Sequence, residues 1–409
     1  MSDAETTPPV GTPEGPLADL RVIEMGTLIA GPFCGQILGD FGAEVIKLED
    51  PKVGDPMRQW GRSLPKGLSP WWPVIGRNKK SVGVDLRTAE GQQIARDLIR
   101  GAEVVVENFR PGALEKWGLS YESLSAENPG LIMARVSGFG QTGPYSQRPG
   151  YGLIGEAMGG LRHVTGDPDR PPARAGISIG DSLAAMHATM GVLMALHARE
   201  RTGKGQVIDA ALFESVLAVM ENLVTEYDLT GYIRERSGSA LPGIAPSNAY
   251  PCAGGDLILI GGNGDTVFAR LCEAMGQPHL KTDPKFASHA ARGENQAELD
   301  AAIAQWTAAQ RLEDLLVLLQ SHDVPASRVF RAPDMLSDPQ FQARDAIVEV
   351  AHPVFGAVKM QNAFPKLSGT PGRVRWPGPP LGAHTDEVLA QAIGYSPEKI
   401  AALRAKGVV

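Results

Sequence analysis

Short runs of Val, Ile and Leu alternate with helical stretches through the first half of the chain, and that rhythm leaves few folds open. Residues 20–25 read as a strand, and Gly26 opens a turn. Gly31-Pro32 then marks where a helix begins, with proline at its first position. That helix runs to about Asp40, and Phe41-Gly42 turns the chain into a second strand over 44–49. A third strand is predicted over 81–86, followed by a helix capped by Thr88 and stopped near Gly101. Residues 104–106 and 131–136 supply two more strands. Strands separated by helices imply a parallel sheet covered on both faces, so the expected class is an open, Rossmann-like α/β fold.

At 409 residues the chain exceeds what one hydrophobic core usually serves. A long helix is expected over 181–199, a strand over 206–210 and a long apolar helix from Leu212. The character changes after about Tyr232: Pro and Gly are dense over 237–252, an apolar strand follows at 257–260, and amphipathic helices are predicted over 267–275, 295–307 and 312–322. The expected organisation is a disordered leader (1–16), a large α/β domain (17–230), a small α+β domain (231–335) and a C-terminal return to the large domain (336–409).

The net charge of -7 argues against nucleic-acid or anionic-membrane partners. No uninterrupted run of about eighteen apolar residues is present, so no membrane span is expected. The N-terminal stretch lacks the features of a signal or transit peptide. Three scattered cysteines, Cys34, Cys252 and Cys272, fit neither a disulfide framework nor a zinc site and suit a reducing cytoplasm. No spacing of His, Asp or Glu suggests a metal.

Candidate functional residues fall near strand ends. The first turn, Gly26 to Gly31, lacks the Gly-x-Gly-x-x-Gly pattern of a dinucleotide site. Arg77, Lys79, Lys80, Arg87, Arg110 and Lys116 form a basic series. Ligands of open α/β sheets bind beyond the strand C-termini, which places Arg87 and Arg110 to meet an anion. In Ile177-Ser178-Ile179-Gly180-Asp181-Ser182 an apolar stretch delivers an aspartate to the start of a long helix. Asp181 reads either as an N-cap or as a carboxylate nucleophile kept ionised by the helix terminus, with Gly180 allowing close approach; the segment alone leaves both open. Cys34 reads as a thiolate at a helix N-terminus or as a buried helix cysteine. His163, His187 and His384 lack a visible acid or serine partner, which disfavours a hydrolase triad.

Taken together, Ala30-Gly31-Pro32, Gly42-Ala43-Glu44-Val45-Ile46-Lys47-Leu48-Glu49, Asn78-Lys79-Lys80-Ser81, Val106-Glu107-Asn108-Phe109-Arg110-Pro111-Gly112, Gly180-Asp181, Thr202-Gly203-Lys204-Gly205-Gln206 and Leu381-Gly382-Ala383-His384-Thr385 resemble the class III CoA-transferases of the formyl-CoA transferase type. The resemblance covers nearly the whole chain. It implies an interlocked homodimer, a nucleophile at Asp181, and CoA contacts at Ile29, Ala30, Val84, Asp85, Leu86, Arg87, Asn108, Phe109, Arg110, Lys116 and the stretch 149–152, which includes Tyr151. It implies no permanently bound cofactor, the CoA thioester being a substrate.

CoA would then move between carboxylic acids through aspartyl anhydride and aspartyl-CoA thioester intermediates. A racemase acting on 2-methylacyl-CoA shares the fold, but its histidine base falls near Tyr151, and a phenol with a pKa of about 10 is a poor base at neutral pH. A non-catalytic CoA-binding protein would keep the basic series without needing Asp181. Ile29 and Asp50 stand where formyl-CoA:oxalate enzymes carry glutamine and arginine, and a four-glycine run is missing. The segment Ala245-Pro246-Ser247-Asn248-Ala249-Tyr250-Pro251 is similar to relatives that handle succinyl-CoA and dicarboxylates. Succinyl-CoA is therefore the expected donor and a short dicarboxylate the acceptor. Arg174 is expected to pair the distal carboxylate, and Gly261-Gly262 to lie near the reacting acyl group.

Overall fold

The computed structural model describes residues 15–62 and 64–409, so all of the expected leader except Gly15 and Pro16 lies outside the described residues. The chain forms two compact units. The first comprises the described residues through Leu161, Gly176–Glu221 and Gln342–Val409; the second comprises Arg162–Ala175 and Asn222–Phe341. Arg162–Ala175, assigned by sequence to the large domain, thus groups with the second unit.

The first unit is built on six parallel strands, β1 (Arg21–Glu24), β2 (Glu44–Glu49), β3 (Lys79–Gly83), β4 (Val104–Glu107), β5 (Ile132–Ser137) and β6 (Val207–Ala211), in the order β3-β2-β1-β4-β5-β6. This is the doubly wound order, in which chain direction across the sheet reverses between β1 and β4. Successive side chains on a strand point to opposite faces, so Val104-Val105-Val106 is buried on both sides. On one face Ile23, Ile46, Val105 and Met133 pack with Ile94, Leu98 and Ile99 of helix Ala89–Arg100. Helices Thr385–Ile393 and Pro397–Ala405 join the same core through Val388, Leu389, Ile400 and Leu403, so the C-terminal segment packs on this sheet. On the other face Val22, Val45, Val104 and Ile132 meet helix Ala30–Asp40 and helix Ile179–Thr202. By length and composition alone, helix Ile179–Thr202 could cross a bilayer. Its Ala184, Ala185, Ala188 and Val192 instead lie in the core.

Three expectations shift. Strand β3 begins two residues earlier than 81 because Lys79, which reads as a surface charge, is buried and ion-paired; residues 84–86 lie beyond the strand. Helix Ile179–Thr202 begins before Asp181, with Ser178 at the N-cap position. The apolar stretch from Leu212 is two helices, Leu212–Leu217 and Leu223–Thr230, and Glu221 between them has φ +53°.

The second unit carries an antiparallel sheet of β7 (Ser247–Pro251), β8 (Leu257–Gly261) and β9 (Ala326–Arg328) in the order β7-β8-β9. Ile258, Ile260 and Tyr250 pack with Phe268, Leu271, Leu299, Ile303, Leu315 and Leu319 from helices Asp265–Ala274, Gln296–Ala308 and Leu312–Ser321. A hairpin of β10 (Ile347–His352) and β11 (Gly356–Gln361) belongs to the first unit.

Candidate active site

A cleft of about 200 Å³ opens at the reversal point of the large sheet. Two loops form its floor, one leaving β1 and the other leaving β4. Asn108 fastens them together: its Oδ1 accepts from Thr27 N (2.8 Å), and its Nδ2 donates to Thr27 O (2.8 Å). The second loop is fixed from below as well. Phe109 N donates to the buried Glu107 carboxylate (2.7 Å), which also accepts from Arg135 (2.7 Å).

Beneath the first loop lies a buried ion cluster. Lys47 Nζ contacts Glu24 (2.8 Å), Asp55 (2.9 Å) and the carbonyl of Gly26 (2.7 Å), and Lys79 Nζ contacts Glu24 (2.8 Å) and the carbonyl of Pro32 (2.6 Å). Burial alone would depress the Lys47 ammonium, but the Asp55 and Glu24 carboxylates outweigh it and hold its pKa above normal. For Lys79 burial wins, with Glu24 opposing, and its pKa is lowered. Asp55 also accepts from Leu28 N (3.2 Å), and Leu28 has φ +65° on the cleft wall. A non-glycine residue in the left-handed region costs about 1 kcal/mol or more and needs such support.

Asp181 lies on the cleft wall, half-buried, in the first turn of helix Ile179–Thr202. The positive end of the helix dipole favours its carboxylate form. Its carboxylate rests directly against the Cα of Gly152: a methyl group there would sit 2.1 Å from Oδ2 and 2.7 Å from Cγ. Gly180 is equally constrained, since a methyl there would lie 2.8 Å from the carbonyl oxygen of Gly152. Two requirements for glycine, at Gly152 and Gly180, thus seat one carboxylate.

The remaining wall is the loop 138–150. Its ends are pinched together where Gly138 and Gly150 cross; a methyl on either would lie within 2.9 Å of the other's Cα. Phe139 stacks edge-on against Tyr145 (5.9 Å), and the Arg148 guanidinium lies over the Tyr145 ring (3.7 Å). Gln141 N ties the loop to Asp209 on β6 (2.8 Å), and Gly140 N donates to Ser137 Oγ (3.1 Å).

The sequence matches CoA-transferase family III over residues 17–385. It is 57% identical to the succinyl-CoA–D-citramalate CoA-transferase of Chloroflexus aurantiacus, across 97% of this chain and 99% of that protein. It is 37% identical to the succinate–glutarate CoA-transferase of Agrobacterium fabrum, across 92% of this chain and 95% of that protein. A CAIB/BAIF family protein from Brucella suis has the same fold, with a TM-score of 0.81 and 36% identity over 93% of this chain and all of that one. The chain belongs to CoA-transferase family III, and is an enzyme of that class.

Within this family III chain the structure brings together Ala30, Asn108, Phe109, Arg110, Tyr151 and Asp181 around one cleft. Ile29 lies just beneath, packed with Met57, Trp72 and Ile75. The other expected contacts lie outside the cleft lining. Val84 is in the sheet core, and Leu86 packs against it. Arg87 is two-thirds exposed and already paired with Asp85 (2.7 Å) and Asp50 (2.8 Å). Lys116 is exposed at the end of helix Ala113–Lys116.

Arg174, Gly261 and Gly262 belong to the second unit. The amides of Gly261 and Gly262 donate to Pro325 O (3.0 Å) and Pro246 O (2.8 Å), so neither is available as an oxyanion donor. Cys34 is fully buried, and burial pushes its thiol up to about 12, which removes it as a nucleophile at neutral pH. No cluster of three potential metal ligands occurs among the described residues. Sequence reasoning missed Arg148 and Tyr145. Arg148-Pro149-Gly150 reads as an ordinary turn, and only a cation immediately before the expected contact stretch hinted otherwise.

Proposed function

We propose that this cleft receives the thioester end of succinyl-CoA and that Asp181 is its nucleophile. The observation that carries the reading is the seat of Asp181: a carboxylate in a first helical turn, at the wall of a cleft, against a glycine that leaves room for it. A cleft of about 200 Å³ is smaller than sites that enclose whole ligands, roughly 300–1,000 Å³, and suits the reacting end of the molecule alone. The choice of succinyl-CoA and a dicarboxylate partner draws on the relatives named for succinyl-CoA, citramalate and glutarate.

Asp181 attacks the thioester carbonyl, giving a mixed anhydride and CoA thiolate. The thiolate attacks the aspartyl carbonyl, forming an aspartyl-CoA thioester and releasing the donor acid. The acceptor carboxylate then displaces the thiolate to form a second anhydride, and the thiolate takes the acceptor acyl group, regenerating Asp181. Helix Ala30–Asp40 begins at the cleft with no side-chain cap, which directs its first-turn amides and dipole toward developing negative charge. Arg110, exposed on the loop after β4, is assigned to the CoA side of the cleft.

The reading includes a cytoplasmic homodimer that binds no nucleic acid or membrane. In the first unit, Met186, Met190, Leu193 and Met194 expose an apolar stripe at helical spacing, and Leu153, Ile154 and Met158 on helix Gly152–Met158 are exposed too. A contiguous apolar face of that kind marks an association surface.

The test is mass spectrometry of the peptide containing residue 181 after mixing enzyme with succinyl-CoA and quenching in acid. A CoA adduct on Asp181, released by hydroxylamine and absent when acceptor acid is added before the quench, is the expected result. Complete turnover with no adduct on Asp181 at any time would refute the covalent route.

A further inference from the structure

We propose that Arg148 determines specificity for dicarboxylates by pairing with the distal carboxylate of the acid whose other end reacts at Asp181. This rests on the cleft being the site of CoA transfer and goes beyond it by naming what selects the acid. Arg148 and Asp181 line the same cleft. Three buried or half-buried arginines of the first unit have carboxylate partners: Arg58 with Glu49, Arg77 with Asp40, and Arg135 with Glu107 and Glu115. Arg148 has no ion pair among the described residues. Its guanidinium is instead held by its face over Tyr145, and stacking of that kind leaves the N–H edge available to a planar anion.

The mounting is built rather than incidental. Phe139 braces Tyr145, a methyl at Gly150 would lie 3.2 Å from the Phe139 ring, and Gln141 anchors the loop to β6. The cation is therefore presented, exposed, on a loop closed at both ends.

The size of the cleft identifies the anion. The phosphates of CoA lie a full pantetheine arm away from its sulfur, whereas Arg148 shares a cleft of about 200 Å³ with the carboxylate that meets the thioester. Arg110, on the loop after β4, is assigned to CoA, so the anion left for Arg148 on the loop 138–150 is one carried by the acyl group. The carboxylate that reacts loses its charge on forming the anhydride, so a lasting ion pair falls to the distal one.

The experiment measures kcat/KM for the acceptor at saturating succinyl-CoA, comparing glutarate with pentanoate, which has the same chain length and one carboxylate fewer. In a double-displacement scheme this ratio reports only the acceptor half-reaction. The wild-type enzyme should prefer glutarate. Arg148→Gln should lose roughly 10- to 100-fold on glutarate, as expected for a hydrogen-bonded charge, while pentanoate stays within about three-fold; Arg148→Lys, which keeps the charge without the planar fork, should fall between. Equal losses on both acids, or no loss on glutarate, would overturn the assignment. A wild-type enzyme that passes CoA to neither acid, nor to citramalate or any other dicarboxylate offered, would instead sink the reading of this cleft as a dicarboxylate transfer site on which it rests.

Discussion

Replacing Gly152 by alanine separates the seat of Asp181 from the stability of the fold. The added methyl would stand 2.1 Å from Asp181 Oδ2, and real contacts of this kind are essentially never under 3.0 Å, so the carboxylate must retreat by about 1 Å. A displacement of that size at a reacting group costs on the order of 100-fold in rate, or about 2.7 kcal/mol of transition-state stabilisation. The backbone itself accepts the change. Gly152 opens helix Gly152–Met158 and is not among the positive-φ glycines, and alanine is favoured over glycine inside a helix by up to about 1 kcal/mol. The expected outcome is a kcat for CoA transfer about 100-fold lower with a melting temperature equal to or slightly above that of the wild type. Activity within about three-fold of wild type would show that the carboxylate's position does not govern the chemistry. Activity and melting temperature falling together would show that Gly152 serves packing instead.

Other outcomes follow from the same contacts. Asn108→Ala removes both hydrogen bonds that fasten the β1 and β4 loops, at about 1 kcal/mol each; a lower denaturant midpoint and a larger fall in kcat/KM than in stability are expected. Lys47→Met leaves Asp55 without its cation in the interior, and Glu24 with Lys79 alone, and should cost about 3–5 kcal/mol in urea unfolding. His384 and His352 have pKa values lowered by burial, and their Nδ1 atoms accept backbone N–H groups. Because the folded values are depressed, the unfolded chain protonates first: stability is unaffected above about pH 6.5 and falls as pH drops from there toward the folded values. Urea midpoints from pH 8 to 5 should show that fall in the wild type and a smaller one in the double variant His352→Gln, His384→Gln.

Much of this architecture was legible in the residues. Strands β1, β2, β4 and β5 are buried on both faces and rich in Val, Ile, Leu and Met, with Lys47 in β2 and Arg135 in β5 as buried exceptions, and their ends fall within two residues of expectation. Strand β3 is displaced because Lys79 belongs to a charge cluster whose other members, Glu24, Lys47 and Asp55, lie far away in sequence; no local pattern reveals such compensation. Strands β7, β10 and β11 were not expected: none is buried on both faces, β7 carries Asn and Pro, β11 carries Gly and Lys, and β10 is interrupted by Glu349. Asp181 was visible as a carboxylate at a helix start, but its contact with Gly152, twenty-nine positions earlier, exists only in the fold. Arg87, expected as an anion contact from its position after a strand, lies outside the cleft lining and pairs at the surface with Asp85 and Asp50.

The most direct test of the account is CoA transfer from succinyl-CoA to a panel of mono- and dicarboxylic acids, read by mass spectrometry in wild type and Asp181→Ala. The account predicts new acyl-CoA products, favouring dicarboxylates, that disappear in the variant while its fold is retained. Products that persist in Asp181→Ala would contradict it. So would an enzyme that transfers CoA to no acid but exchanges the α-proton of a 2-methylacyl-CoA with deuterated solvent.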